Sequence, residues 1–446
     1  MKITPLLLLF FVCNLAFGQN PQKISLNKNY PNIKIDKSAD LNFKIALKKG
    51  TLYNLSVLQQ EVDVMLILKD SNNQKILEKD SPNGKNGLET FEYLATQTGD
   101  YYLVVNRLNE PGNPEEGKVS VNIQPIAKAE VQRRAAIQKE LAPENNKTVQ
   151  TLDIDHFWEA FDHLKHCKTH ADSVSTIQKL YLDRATDGLL DFIKARSFTA
   201  ERFVKQIAAR SKFYASVRKN TYEVKKAAPL IDELFIKFKA LYPNFKPFKV
   251  CFAIGLVNTG GTVSDNFVLI GTEVSTSTKD VDLSEFNGSA FSKILESEGD
   301  IVQKIKNIVA HECVHTQQKT PLDLNAVGCK LLGDVMKEGF CDFIGELIAE
   351  GQINKVAQAY GDEHEKELWK KLKDEMCTNN YGNWLYNYGT TPKGIPADLG
   401  YYMGYQIAKE YYNHATDKKQ AITDIMEMNN PLRFLELSKY DQKLKK

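Results

Sequence analysis

Almost no net charge separates the 58 basic from the 56 acidic residues of this chain, which carries a formal +2. No concentrated basic stripe interrupts that balance, so the composition speaks against a nucleic-acid partner. After the first residues no apolar run approaches the roughly 20 positions that a membrane-spanning helix needs, and no transmembrane segment is expected. Internal repeats and low-complexity tracts are absent, which excludes a solenoid or a propeller. Cysteine is sparse. Apart from Cys13 there are six: Cys167, Cys251, Cys313, Cys329, Cys341 and Cys377. An even number permits disulfides in an exported protein, but the spacing is too loose for a framework. Cys329 and Cys341 are the closest candidates for a pair, and small buried thiols are the alternative.

What is present begins with a leader. Lys2 supplies a positive start, Pro5 to Cys13 is a short apolar run, and Ala16 and Gly18 are small residues of the kind found at a cleavage site. Residues 1–18 therefore read as a signal peptide cut after Gly18, and the mature chain as exported, periplasmic or extracellular. Val12 is a poor match to the small residue that a lipoprotein would need before Cys13. The remaining length exceeds one typical domain.

Residues 19–126 alternate apolar and polar side chains in short runs, among them "LNFKIAL" (41–47), "YNLSVLQ" (53–59), "VDVMLILKD" (62–70), "TFEYLAT" (90–96), "YYLVVNRL" (101–108) and "GKVSVNIQPI" (117–126). Turn-rich clusters such as "DSNNQK" separate them, and this rhythm predicts an antiparallel β-sandwich. The stretches "LKKGTLYNLSV", "DVMLILKDSNNQKILEKD" and "TGDYYLVVNR" resemble the bacterial pre-peptidase C-terminal domain, a small β-sandwich carried by secreted proteases. That resemblance implies a structural or surface-binding role, toward a surface component, in place of catalysis. Residues 127–150, charged and Ala-rich with a Pro-Glu-Asn-Asn break, read as a partly helical linker.

From 151 to 446 the apolar period lengthens to three and four, as helices require, with one β interlude at "FKVCFAIG" (248–255) and "VNTGGTVSDNFVLIGTEV" (257–274). The expected class is thus α+β: a β-sandwich followed by a mainly helical domain with a small sheet.

The helix "DIVQKIKNIVAHECVHTQQK" carries the chemistry. His311 and His315 stand one turn apart on one face, so both imidazoles can point at one ion. Glu312 lies one position round, where a carboxylate can serve as general base toward a water on that ion without ligating it. A pair of surface histidines is the alternative reading of five such letters. A second helix, "MKEGFCDFIGELI" (336–348), offers Glu338, 23 positions after His315, and Asp342 one turn beyond it. This looks like the gluzincin arrangement, which implies Glu338 as the third zinc ligand and Asp342 as a residue that orients a ligating histidine. Glu346 on the same face is the rival; Gly339, which permits close helix approach, favours Glu338. Upstream, "VNTGGTVSDNFVLIGTEV" can offer a sheet edge on which a peptide adds as a strand.

The segments "YPNFKPFKVCFAIG", "NTGGTVSDNFVLIGTE", "VAHECVHTQQ", "KEGFCDFIGELIAEG" and "DLGYYMGYQIAKEYY" resemble bacterial families of predicted zinc-dependent proteases of unknown function. The resemblance implies a zincin-like metallopeptidase domain with Zn2+ as cofactor and a peptide or protein as substrate. Such folds need a donor for the developing oxyanion. On "DLGYYMGYQIAKEYYNHA", Tyr401, Tyr402 or Tyr405 can supply a phenol, and Tyr402 and Tyr405 rank together; a tightly packed helix is the alternative. "HFWEAFDHLKHCKTH" (156–170) concentrates four histidines beside Cys167, yet without an acidic partner it reads as a polar helix face. Cys313 turns away from the two histidines. A non-catalytic envelope or surface protein that retains the zincin fold is the rival to an exported metallopeptidase.

Overall fold

The computed structural model describes residues 21–80, 85–109, 113–286, 290–319 and 329–444. The expected signal peptide, residues 1–18, lies outside the described residues. The chain divides into two compact units, which part between Ala135 and Ala136.

The first unit holds strands β1 (Gln22–Lys23), β2 (Asn29–Asp36), β3 (Leu41–Leu47), β4 (Leu52–Gln60), β5 (Val64–Lys69), β6 (Lys75–Lys79), β7 (Asn86–Leu94), β8 (Gly99–Arg107) and β9 (Glu116–Pro125). One sheet runs β1-β3-β8-β5-β6 and the other β2-β9-β4-β7. Side chains along a strand alternate between faces. Tyr53, Leu55 and Val57 of β4, Phe43 and Ile45 of β3, Leu66 and Leu68 of β5 and Val119, Val121 and Ile123 of β9 all turn inward. These inward rows from both sheets form one apolar core, a β-sandwich. Two longer strands escaped the sequence pattern, and both are sheet edges. In β2, Pro31 and a register shift between Tyr30 and Ile33 break the alternation, and only Ile35 is buried. No residue of β6 is buried.

The segment 127–150, expected to be a partly helical linker, holds one long helix and a short strand. Helix α1 (Lys128–Asn145) spans the division between the units and leads to β10 (Val149–Gln150). Its charges are helical pairs, with Glu130 bonded to Arg133 and Arg134 three and four positions on. Its end is built into the second unit: the buried Glu144 carboxylate accepts the backbone N–H groups of Thr151 and Leu152 at 2.8 and 3.2 Å.

Helices α2 (Leu152–Leu164), α3 (His170–Leu180), α4 (Asp187–Arg196), α5 (Ala200–Ala209), α6 (Ser211–Thr221) and α7 (Val224–Leu241) follow. Then come β11 (Lys249–Ala253), β12 (Gly261–Val263) and β13 (Phe267–Gly271), and the short helices α8 (Thr272–Ser275) and α9 (Ala290–Leu295). The chain continues as α10 (Ile301–Gln317), α11 (Lys330–Ala349), α12 (Lys355–Glu375), α13 (Leu399–His414), α14 (Lys418–Met426), α15 (Pro431–Ser438) and α16 (Tyr440–Lys443). The small sheet has the order β10-β11-β13-β12, with β12 antiparallel at its edge. Among the described residues no helix is long and apolar enough to cross a membrane.

Three helices position the site. α10 starts on Asp300, whose carboxylate accepts the Gln303 N–H at 2.7 Å. It buries Ile305, Ile308 and Val309 and packs against β12 and β13 on one side and α11 on another. α11 lies between α10 and α13, which is why its sequence is apolar nearly all round. At the α11–α13 contact a methyl on Gly339 would land on the backbone of Gly404 and Tyr405, and one on Gly404 on the Val335 carbonyl. Cys329, at the start of α11, forms a disulfide with Cys377, not with Cys341. Cys341 stands twelve positions along the helix from Cys329, about 18 Å at 1.5 Å per residue, far beyond disulfide reach. Cys341 is a buried free thiol.

Candidate metal centre

The two imidazoles of α10 differ in environment. His311 is buried and donates through Nδ1 to Asp342 Oδ1 at 2.7 Å. The other oxygen of Asp342 accepts from Asn354 Nδ2, also at 2.7 Å. A carboxylate with both oxygens engaged fixes the tautomer and the ring plane, leaving the His311 Nε2 lone pair free. His315 donates through Nδ1 to Gln318 Oε1 at 3.0 Å, and Gln318 in turn donates to the Lys337 carbonyl at 2.8 Å. Its Nε2 is left free in the same way.

Both free nitrogens face Glu338. Its Oε2 stands 3.6 Å from His311 Nε2 and 3.2 Å from His315 Nε2. Donors 2.0–2.1 Å from a tetrahedral zinc ion lie about 3.3–3.4 Å from one another, and each of these two separations is near that value. Glu338 Oε1 accepts the Tyr386 hydroxyl at 2.9 Å, which leaves Oε2 for the histidines. Burial works against the Glu338 charge, but the two imidazoles outweigh it and hold the carboxyl far below the usual range. At His311 burial again opposes charge, and Asp342 and Glu338 reverse it, raising the imidazole well above its ordinary value.

Cys341 is a competing donor. His311, His315 and Cys341 offer ligand atoms within 4.8 Å of one another, the one such group of three or more among the described residues. Its Sγ, however, sits 3.3 Å from His315 Nδ1, the nitrogen already engaged with Gln318. Burial, then the negative charges of Glu338, Asp342 and Glu312, push this thiol well above its ordinary pKa. Glu338 Oε2 and Cys341 Sγ thus approach opposite nitrogens of His315. Glu346, the other carboxylate considered, lies two turns further along α11 and accepts the Tyr405 hydroxyl at 2.7 Å.

Glu312 faces the sheet edge. A methyl on Gly261, the first residue of β12, would come within 2.6 Å of Glu312 Oε1, so the edge strand crosses directly over this carboxylate. Burial raises the Glu312 pKa, and the charges of His311, His315 and Arg196 oppose that rise.

Residues 274–430 match the family model described as predicted Zn-dependent protease (DUF2268). The match includes both histidines, Glu312, Glu338 and Asp342. No curated protein matches. Among solved structures, the pre-peptidase C-terminal domain of collagenase from Bacillus anthracis is similar at 16% identity and a TM-score of 0.19, over 23% of this chain and 94% of that one. PliG from Aeromonas hydrophila, a periplasmic inhibitor of g-type lysozyme, is similar at 10% identity and a TM-score of 0.20, over 24% of this chain and 96% of that one. At such scores neither likeness bears on what this chain does.

The tyrosines need correction. Tyr402 is buried against Gly361 of α12, and the carboxylates around its phenol are Glu365 and Asp362, not Glu338. Tyr405 is engaged with Glu346. Successive helical residues point about 100° apart, so the face that meets α11 at Gly404 turns these two phenols away from the histidines. Tyr401 faces the site instead: its ring stacks on His311 at 6.0 Å and 21°. Burial, and then the Glu338 charge, holds its phenol well above the ordinary value. Tyr386 was missed altogether. It lies in an irregular segment at φ +56°, held by the Asp398 carboxylate, which accepts its N–H at 2.7 Å, and no periodicity marks it.

The histidines of 156–170 do not assemble a second centre. His163 Nδ1 donates to the Glu159 carbonyl and His170 pairs with Glu201 on the surface.

Glu273, also missed, supports the strand that crosses Glu312. Fully buried, it accepts the N–H groups of Gly255 and Val257 at 2.7 and 2.9 Å and so fixes the loop into β12, where Val257 stands at φ +55°. Burial outweighs those bonds and lifts its pKa from 4.5 to about 7. The folded state thus holds a proton that the unfolded state releases above about 4.5. Stability should fall as pH rises from about 4.5 to 7, by at most about 1.4 kcal/mol per pH unit from this group. In thermal melts Glu273→Gln should flatten that decline; Asp153, raised likewise to about 7, leaves a residual slope of the same sign. Equal slopes in wild type and variant would show that Glu273 ionises normally.

Proposed function

We propose that this chain is an exported zinc-dependent peptidase in which His311, His315 and Glu338 hold the ion. The observation that carries the reading is that Glu338 Oε2 stands 3.6 and 3.2 Å from His311 Nε2 and His315 Nε2, with Glu312 near enough to feel the charge of all three. The family description of residues 274–430 supports it. Zinc held by these residues would polarise a water and the substrate carbonyl. Asp342 and Gln318 keep each imidazole in the tautomer that presents Nε2. Glu312, one position round the helix from the histidines, takes the proton of the attacking water and delivers it to the leaving nitrogen. Among the described residues β12 has a partner on one side only, so a peptide can add as a further strand beside Gly261, its scissile bond over Glu312. Tyr401 and Tyr386, in place of Tyr402 and Tyr405, are the phenols near the reacting groups.

The test is metal analysis joined to a protease assay. Purified protein should carry about one zinc per chain, and His315→Ala should lose it. Asp342→Asn should weaken zinc by about 10–100-fold. Glu338→Ala that kept zinc at full affinity would move the third ligand to Cys341. Full zinc with no cleavage of any peptide would favour a binding scaffold over an enzyme.

A further inference from the structure

We infer that Arg196 is a substrate-recognition residue of this cleft, one that takes a carboxylate close to the scissile bond. The inference rests on the peptidase reading for the word substrate, but on its own residues for the carboxylate.

Arg196 is the last residue of α4, 116 positions before Glu312 in sequence, and a short series of contacts brings it to the same place. Its Nη2 donates to Thr259 Oγ1 at 3.3 Å, and that hydroxyl donates to the Gly261 carbonyl at 2.7 Å. Gly261 is the residue whose backbone lies against Glu312. The guanidinium is near enough for its charge to act on Glu312. Its backbone is fixed independently, since Arg202 donates to the carbonyls of Arg196, at 2.9 Å, and Ser197, ending α4 there.

A half-buried arginine normally meets a carboxylate or several carbonyls. Arg218, for comparison, forms a two-pronged pair with Asp162 at 2.7 and 2.9 Å. Among the described residues Arg196 forms no ion pair. Its Nε is screened from solvent and has no hydrogen-bond partner. An unpaired cation beside the edge on which a peptide would lie is chemistry suited to an anion with two oxygens. Two sources present it: an aspartate or glutamate side chain of the substrate, or its C-terminal carboxylate.

Binding to the full chain carrying Glu312→Gln, measured by fluorescence anisotropy with labelled peptides, separates this from catalysis. One arm compares peptides with Glu or Gln at each position along the peptide; the other compares a free C-terminus with its amide. The expected result is a preference of about tenfold or more for the acid at one position or at the C-terminus. It should be lost on Arg196→Gln and kept in part by Arg196→Lys, with the melting temperature of each variant confirming the fold. Equal affinity for acid and amide, a preference that survives Arg196→Gln, or no binding of any peptide overturns the inference. Cleavage by the wild type without acidic preference overturns the inference and leaves the peptidase reading standing. An Arg196-dependent preference in a wild type that cleaves nothing does the reverse.

Discussion

Glu312→Gln is expected to keep its zinc and its fold while peptide hydrolysis falls by about 10²–10⁴-fold, the range that general-base catalysis contributes. The substitution preserves shape and removes only basicity. Zinc is retained because the proposed donors are His311, His315 and Glu338, and Glu312 points instead at the β12 backbone. Burial already disfavours its charge, so losing that charge should not lower the melting temperature. Metal content, a melt and peptide cleavage on one preparation check all three parts. Cleavage at wild-type rate would remove Glu312 from the mechanism, and loss of zinc would make it a ligand.

Gly339→Val should be the most damaging single substitution at the helix crossing, costing about 3 kcal/mol or more in a full-length melt. Its side chain would meet the backbone of Gly404 and Tyr405, which cannot swing aside as a flexible side chain would. The helices would have to part, and α11 carries both Glu338 and Asp342. Zinc affinity should therefore fall together with stability, although residue 339 touches no ion. Gly99→Ala is the matched control, because nothing lies within 4 Å of the added carbon. A Gly339→Val protein that melts and binds zinc like wild type would mean that the α11–α13 approach is looser than described.

How much of this was legible beforehand follows from the range of each signal. Strand alternation and helical period are set by neighbours two to four residues apart, so the sandwich and the helical unit could be read from the chain. Within the sandwich they were lost where a strand buries little, as in β2 and β6. The candidate metal helix was legible for the same reason: His311 and His315, like Glu338 and Asp342, are each one turn apart on a helix. Charge pattern alone did not give the length of the α1 helix within the expected partly helical linker, since exposed helical pairs and solvated chain use the same residues.

Everything that depends on which faces meet was decided by tertiary structure. Three tyrosines on one helix are equivalent until Gly339 and Gly404 set the crossing and turn Tyr401 alone toward His311. Cys329 pairs with Cys377 because the start of α11 returns to the end of α12, where the Leu332 N–H also meets the Met376 carbonyl. Tyr386, Glu273 and Arg196 lie far from the histidine motif in sequence and carry no periodic mark. The sequence by itself determined that two histidines, two carboxylates and a base could share a helix pair. Only the packing of α4, β12 and α10 determined what stands over that base, because contacts between elements depend on interlocking surfaces that no local period encodes.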